Sequence, residues 1–332
     1  MVPTLEEVAR LAGVSRSTVS RVINDHPSVR SDTRERVWQA IRTSGYRPHA
    51  VARSLVTNRT QIIGMVIPEA VTTLFTDPFF PLFLHGATEA CNTHHYQLLL
   101  SLFNDPAGRE DMYQRVLHNG YLDGVIVASA PLDDPIVPNL LRDHIPFISV
   151  GRHPNEDVHY VDVDNVGGAR MAVEHLIRLG HQRIAIIAGR QDMVHGQARL
   201  GGYRQAMGAR RVPVREELIA EGDYTESGGM ECMQSLLAAS PTAVFVGSDT
   251  MAIGALKALR QAGQRVPQDV ALVGFDDIPM ASAIEPPLTT VRQPIRQMGA
   301  LAVETLLDLI EHPGSGPRRI VLPTQLIIRE SC

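Results

Sequence analysis

Thr4-Leu5-Glu6-Glu7-Val8-Ala9-Arg10-Leu11-Ala12-Gly13-Val14-Ser15-Arg16-Ser17-Thr18-Val19-Ser20-Arg21-Val22-Ile23-Asn24 reads as two short helices joined through a glycine turn. Thr4 and Glu7 are spaced as a capping box, in which the Thr4 hydroxyl caps the Glu7 N–H and the carboxylate bonds back. Leu5, Val8, Ala9 and Ala12 recur at helical spacing, and Gly13 follows where a left-handed residue costs least as glycine. Ser15 is placed to cap a second helix whose Val19 and Val22 share one face. Ala9, four residues before Gly13, stays small where the helices cross, which is helix-turn-helix spacing. The outward face of the second helix carries Arg16, Ser17, Thr18 and Arg21, donors of the kind that reach base edges or phosphates in a major groove. A third helix fits Ser31 to Ser44, with Val37, Trp38 and Ile41 on one stripe, Trp38 as core cement and Gly45 ending the run.

Charge agrees with a polyanionic partner for this segment. The 332-residue chain has a net charge of -5, yet residues 1–60 hold ten Arg, no Lys and five carboxylates. The remainder holds 21 basic and 31 acidic side chains, so a small basic module leads an acidic body. A composition of 44% hydrophobic and 20% charged residues excludes a disordered chain. No apolar run reaches the roughly 18 residues of a membrane helix and no secretory signal is visible, so a cytosolic protein with no membrane partner is expected. Cys91, Cys232 and Cys332 are odd in number and far apart, which suits neither a disulfide framework nor a metal knuckle. His94 with His95, His153 with His159, and His175 with His181 lack metal-site spacing. No phosphate-cradling loop, dinucleotide fingerprint or nucleophile elbow occurs, so no catalytic residue, metal or cofactor is expected.

From Thr60 onward, short β-branched runs alternate with amphipathic helices, the pattern of an α/β body with parallel sheets. The strand candidates are Ile62–Ile67, Gln97–Leu100, Gly124–Val127, Phe147–Val150, Ile184–Ile187, Ala243–Val246 and Val270–Val273. Seven strands exceed one compact lobe, so two doubly wound lobes side by side are expected, with ligand outside the strand C-terminal ends. At those ends lie Gly151 and Arg152, a loop leading to Arg199, Ser248 and Asp249, and Phe275, Asp276 and Asp277. Carboxylates and Arg can hold adjacent hydroxyls bidentately while an aromatic face covers a sugar ring, so the inventory suits a polyhydroxylated ligand.

The opening run, continued by Gly45-Tyr46-Arg47-Pro48 and Ala50-Val51-Ala52-Arg53-Ser54-Leu55, resembles the DNA-binding headpiece of the lactose/purine-repressor (LacI) family. The resemblance implies a helix-turn-helix headpiece at 1–47 and a hinge at 48–60 that becomes helical on DNA. Leu55 would wedge into the minor groove beside Ala52 and Arg53. An apolar Leu55 flanked by Arg53 and Arg59 suits a wedge with phosphate anchors on its own chemistry. By the same resemblance Arg16, Ser17 and Arg21 read bases, with Thr18 on the same face, while Thr4, Ser15, Ser20, Asn24 and Thr33 hold phosphates.

The body resembles the type I periplasmic-binding-protein fold that serves this family as effector and dimerisation domain, here 61–332. Lobe 1 would span about 61–161 and 292–320, and lobe 2 about 162–291 and 321–332, with Leu288–Pro294 similar to the late crossover. Asp77-Pro78-Phe79-Phe80 matches the segment whose second aromatic stacks on the ligand. Arg199, Tyr224 and Asp276 match ligand-holding positions, and His195 is a further candidate to face the cleft. Ser248-Asp249 departs from the Asn-Asp of some sugar responders, which leaves the sugar open. Tyr160–Asn165 with Gly151-Arg152 is similar to the branch that answers α-glucosides such as maltose; a nucleobase or nucleoside is the rival ligand. The expectation is a ligand-controlled repressor that binds a near-palindromic double-stranded operator as a homodimer, the last strand falling at Arg329–Cys332 with no heptad segment for a tetramer. Release from DNA and tighter binding on effector are both compatible with this machinery. A transport-type solute-binding protein and a sugar enzyme with a DNA module are the competing classes.

Overall fold

The computed structural model describes residues 3–23, 26–46, 59–67, 71–102, 113–128, 130–314 and 316–332. The chain divides into two units, Met1–Gln61 and Ile62–Cys332.

In the first unit, α1 (Leu5–Ala12) begins where Thr4 Oγ1 accepts the Glu7 N–H at 3.3 Å, with Glu6 and Glu7 in the first turn complementing the helix dipole. Gly13 adopts φ +64° and closes the helix, a conformation that would strain any side chain. Ser15 Oγ then accepts the Thr18 N–H at 3.1 Å and starts α2 (Arg16–Ile23). α3 (Ser31–Ser44) ends at Gly45, again left-handed. Val8, Ala9 and Ala12 meet Val19, Val22, Val37, Ala40 and Ile41 in one small core. Trp38 departs from expectation: it is 37% exposed. The buried stripe runs through Val37, Ala40 and Ile41 at helical spacing, and Trp38, about 100° around from Val37, falls off it.

The second unit contains two six-stranded sheets. The first begins with β1 (Ile62–Val66). After α4 (Val71–Thr76) and α5 (Phe79–Thr93) come β2 (Gln97–Ser101) and β3 (Gly124–Ala128). α6 (Ile136–Arg142), β4 (Phe147–Val150) and β5 (Tyr160–Val163) complete its first pass. The chain then crosses into α7 (Asn165–Arg178), β6 (Ile184–Ala188), α8 (Val194–Ala209) and β7 (Ile219–Glu221). α9 (Glu226–Leu236), β8 (Ala243–Val246), α10 (Asp249–Gln261), β9 (Ala271–Asp276) and β10 (Thr289–Arg292) follow. It returns through α11 (Ile295–Glu311) to β11 (Arg319–Leu322) and crosses a third time to β12 (Gln325–Ile327).

The spatial orders are β11-β5-β4-β3-β1-β2 and β12-β10-β9-β8-β6-β7, parallel throughout except for β12 against β10. Helices cover both faces of each sheet, which explains why β3, β6 and β8 are buried along their whole length. Alternation assigns the faces. Ile63, Met65 and Ile126 meet Phe83 of α5 and Val303 of α11, whereas Val125 and Val127 meet Ile136 and Leu140 of α6. In the other lobe Val244 and Val246 meet α9 and α10, while Ile186 and Phe245 meet α7 and α8. Each fully buried aliphatic side chain contributes about 1.5–3 kcal/mol, more than a surface ion pair of about 0–1 kcal/mol, so these faces fix the lobes.

The final strand is corrected. It is β12, Gln325–Ile327, rather than Arg329–Cys332, although the Ser331 carbonyl still accepts the Leu272 N–H at 2.8 Å. The Ser331 hydroxyl accepts the Thr289 N–H at 2.8 Å and donates to Leu272 O at 2.6 Å, so side-chain bonds join the backbone bonds that anchor the tail.

Candidate functional site

Two faces carry chemistry. On the first unit, Ser15, Arg16, Ser17 and Arg21 are exposed along α2, with Thr18 and Ser20 half-buried behind them. Ser15 Oγ lies 2.8 Å from both Ser17 Oγ and Thr18 Oγ1, so these hydroxyls form one cluster at the helix start. Arg16 Nη1 lies 3.0 Å from Glu6 Oε1 of α1. Thr4 caps α1 and is exposed; Thr33 is half-buried, its N–H donating to Asp32 Oδ1 at 2.7 Å. Asn24, Ala52, Arg53 and Leu55 lie outside the described residues.

In the second unit the strand C-terminal ends of the two lobes face one cleft of about 720 Å³, including its open mouth. The first lobe supplies Asp77, Phe79, Phe80, Val150, Gly151, Asp162 and Met298. The second supplies Asn165, Arg190, His195, Arg199, Asp223, Tyr224 and Asp276, and Gln293 reaches in from the crossover between β10 and α11.

The polar groups form a chain across the lobes. Arg152 Nε donates to Asp162 Oδ2 at 2.9 Å, Asn165 Nδ2 donates to Asp162 Oδ1 at 3.0 Å, and Arg199 Nε donates to Asn165 Oδ1 at 2.9 Å. Arg199 also donates to the Gly247 carbonyl, stacks 3.8 Å over the Phe275 ring and lies 3.6 Å from Asp276 Oδ1. The guanidinium is therefore held on three sides before any ligand arrives.

Burial pushes Asp276 up to about 7, with Arg199 opposing and Asp77 adding to the shift. Gln293 Nε2 donates to its Oδ1 at 2.5 Å. Burial also raises Asp77, against a bond from the Phe79 N–H at 3.0 Å, and raises Asp162, against that segment's backbone and Arg152. A buried carboxylate that accepts only one or two protein bonds retains lone pairs for ligand hydroxyls.

Aromatic groups close the other walls. Phe79 and Phe80 meet edge-to-face at 5.5 Å at the start of α5. Tyr224 sits at φ +67° with its ring where a Cβ on residue 189 would stand 1.8 Å from the phenolic oxygen, so only Gly189 admits it. Its hydroxyl is buried without a hydrogen-bond partner, and burial holds the phenol far above its ordinary pKa. The His195 ring lies 5.2 Å away, and burial, with Arg199 and Arg190 adding, pushes it down to about 3 and keeps it neutral.

Of the expected cleft residues, Phe79, Phe80, Arg199, Tyr224 and Asp276 converge on the cavity. Three do not line it. Ser248 Oγ accepts the Met251 N–H at 3.2 Å as the cap of α10. Asp249 is fully buried, accepting from Thr290 Oγ1 at 2.6 Å and the Ile278 N–H at 3.0 Å. The turn after β8 therefore commits both side chains to bonds within the lobe rather than to the cavity. Arg152 reaches Asp162 from outside the lining and acts on the site only through it. Sequence pattern alone does not assign Asp77, Asp162, Asn165, Arg190, Asp223, Gln293 or Met298 to the site, although Asp77, Asp162, Asn165 and Gln293 fall within stretches of family resemblance. No described helix is long and apolar enough to cross a membrane.

Residues 4–49 match the family model of bacterial regulatory proteins of the lacI family, and residues 173–332 match that of a periplasmic binding protein-like domain. The HTH-type transcriptional regulator CelR of Thermobifida fusca is 44% identical, covering 99% of this chain and 98% of its own. A solved complex of the regulator CelR with cellobiose superposes with a TM-score of 0.80 at 42% identity, covering 99% of this chain and 100% of that one. The lac repressor dimer bound to operator and the anti-inducer ONPF gives a TM-score of 0.87 at 28% identity over 100% and 99% of the chains.

Proposed function

The chain belongs to the LacI family of bacterial regulatory proteins and is a ligand-controlled, DNA-binding transcriptional regulator; from that premise we propose a cytoplasmic repressor that leaves its operator when a β-linked glucose disaccharide fills the interlobe cleft. The observation that carries the ligand class is the donor and acceptor set of the cleft. Asp77, Asp162 and Asp276 accept from hydroxyls, Arg199 and Asn165 are already oriented, and Phe79, Phe80 and Tyr224 offer ring faces. Uncharged sugars present just such adjacent donors and acceptors around a ring whose apolar face an aromatic side chain can cover. The relative solved with cellobiose favours that sugar over the maltose type suggested by Tyr160–Asn165.

In this reading Arg16, Ser17 and Arg21 read base edges, and Thr4, Ser15, Ser20 and Thr33 meet phosphates, joined by Asn24. Ala52, Arg53 and Leu55 of the hinge at 48–60 meet the minor groove at the operator centre. Two copies are needed because one helix-turn-helix covers little DNA, and two linked ones gain from effective concentration on a near-palindrome. Closing the lobes on the sugar alters the paired hinges, so sugar and operator compete through one two-state equilibrium. The ligand is bound and released unchanged.

Thermal unfolding of the full chain against cellobiose, maltose, monosaccharides, nucleosides and sugar phosphates tests the ligand class. A compound binding only the folded state at a hundredfold above its Kd adds about 2.7 kcal/mol. Stabilisation by cellobiose supports the reading; stabilisation by a nucleoside alone overturns it.

A further inference from the structure

We infer that Glu6 is a positioning residue for Arg16 and so a second determinant of which base pair the repressor selects. The inference rests on Arg16 being a base-reading residue. Arg16 opens α2, where the helix dipole opposes a cation, and Glu6 lies in the first turn of α1, where the dipole favours a carboxylate. Their contact, Arg16 Nη1 to Glu6 Oε1 at 3.0 Å, therefore ties together the N-terminal ends of the two helices, and the carboxylate supplies the negative charge that the start of α2 lacks. Both side chains are well exposed, 71% and 62%, so the pair stands on the surface that Arg16 presents rather than in the core.

The nearest approach of the pair is through Nη1. A guanidinium carries five N–H donors in a planar fork, so the remaining donors suffice for a bidentate grip on O6 and N7 of a guanine. A held fork reaches a base in one direction; a released one also reaches neighbouring bases and phosphates. The Glu6 carboxylate adds a second filter, because it repels a phosphate that would draw the guanidinium away. Glu6 thereby lowers binding to wrong sequences and sharpens the preference of Arg16.

The test compares the full-length wild type with Glu6→Gln, Arg16→Ala and the double variant. A random duplex library is selected first, and competition is then measured with single-base variants of the selected operator. Arg16→Ala is expected to flatten one position per half-site. Glu6→Gln is expected to lower discrimination at that same position by up to about fivefold, the upper range of an exposed ion pair, and to raise non-specific binding. In the Arg16→Ala background Glu6→Gln is expected to change nothing at that position. An unchanged profile for Glu6→Gln, an equal effect with and without Arg16, or a loss spread evenly over all positions overturns the inference. An Arg16→Ala profile identical to wild type overturns instead the base-reading role on which it rests.

Discussion

Gln293 Nε2 donates to Asp276 Oδ1 at 2.5 Å, so a residue of the crossover between lobes directly steadies a buried carboxylate of the cleft. The carboxylate is held up to about 7 by burial, with Arg199 and Gln293 working against the shift and Asp77 with it. Asp249 on α10 is tied to the same titration, its own carboxyl raised by burial and by Asp276.

If a sugar hydroxyl donates to ionised Asp276, effector affinity falls as pH falls through about 7. From pH 8 to pH 6 the loss is about tenfold for a group titrating near 7. Calorimetric titration of cellobiose across that range checks this. Asp276→Asn is expected to bind weakly with a flat profile, and Gln293→Leu to move the midpoint to higher pH. In the unliganded chain the raised pKa has the opposite sense. The folded state keeps a proton that the unfolded chain loses near 3.8, so this group's stabilisation is full below that value and disappears as pH rises through about 7.

Tyr224 offers a sharper separation of fold from binding. Its hydroxyl has no protein partner, so Tyr224→Phe removes a buried unsatisfied group and is expected to leave stability unchanged or raise it by up to about 1 kcal/mol. The same change is expected to weaken cellobiose several-fold, because the ligand supplies the missing partner. Thermal melting and calorimetry on one preparation check both. A destabilised variant with unaltered affinity would remove Tyr224 from the site.

Ser248 is expected to behave in the reverse way. Ser248→Ala deletes the cap of α10 and costs about 1 kcal/mol of stability, with effector affinity unchanged. Denaturant unfolding beside a binding isotherm distinguishes this from a ligand contact.

How far the sequence could be read follows from where each signal is stored. The headpiece is local: Thr4, Gly13, Ser15 and Gly45 act within a turn of themselves, and their spacing carries the motif. Trp38 misleads because Val37 and Trp38 are both apolar neighbours, and only packing decides which of them faces in. Most central strands announce themselves as continuous apolar runs; β10, Thr289–Arg292, does not, because two threonines and an arginine stand where the run would be, although Thr289, Thr290 and Val291 are buried. β7, β11 and β12 do not, because they are short edge strands that mix charged or polar residues with half-exposed ones. β5 is hidden because Asp162, a cleft residue, interrupts its apolar pattern.

The cleft shows the same division. Arg199, Tyr224 and Asp276 lie at strand ends and helix starts that a topological rule can find. Gln293 reaches the cavity because of how the chain crosses between lobes, which no local pattern encodes, and Asp77 because the turn before α5 points its carboxylate inward. Ser248 and Asp249 satisfy the rule by position, yet the Met251 and Ile278 N–H groups and the Thr290 hydroxyl claim their side chains first.

The central claim is that the cleft controls the headpiece, and the most direct measurement is capture of an operator by the full-length chain with and without saturating cellobiose. The operator is one selected from random duplex DNA by the protein itself. Wild-type capture is expected to fall at least about tenfold, within the usual coupling range of 1–3 kcal/mol, while Asp276→Ala captures the same operator with nearly wild-type affinity and ignores the sugar. Capture that cellobiose leaves unchanged, in a wild-type protein shown by calorimetry to bind it, would contradict the account.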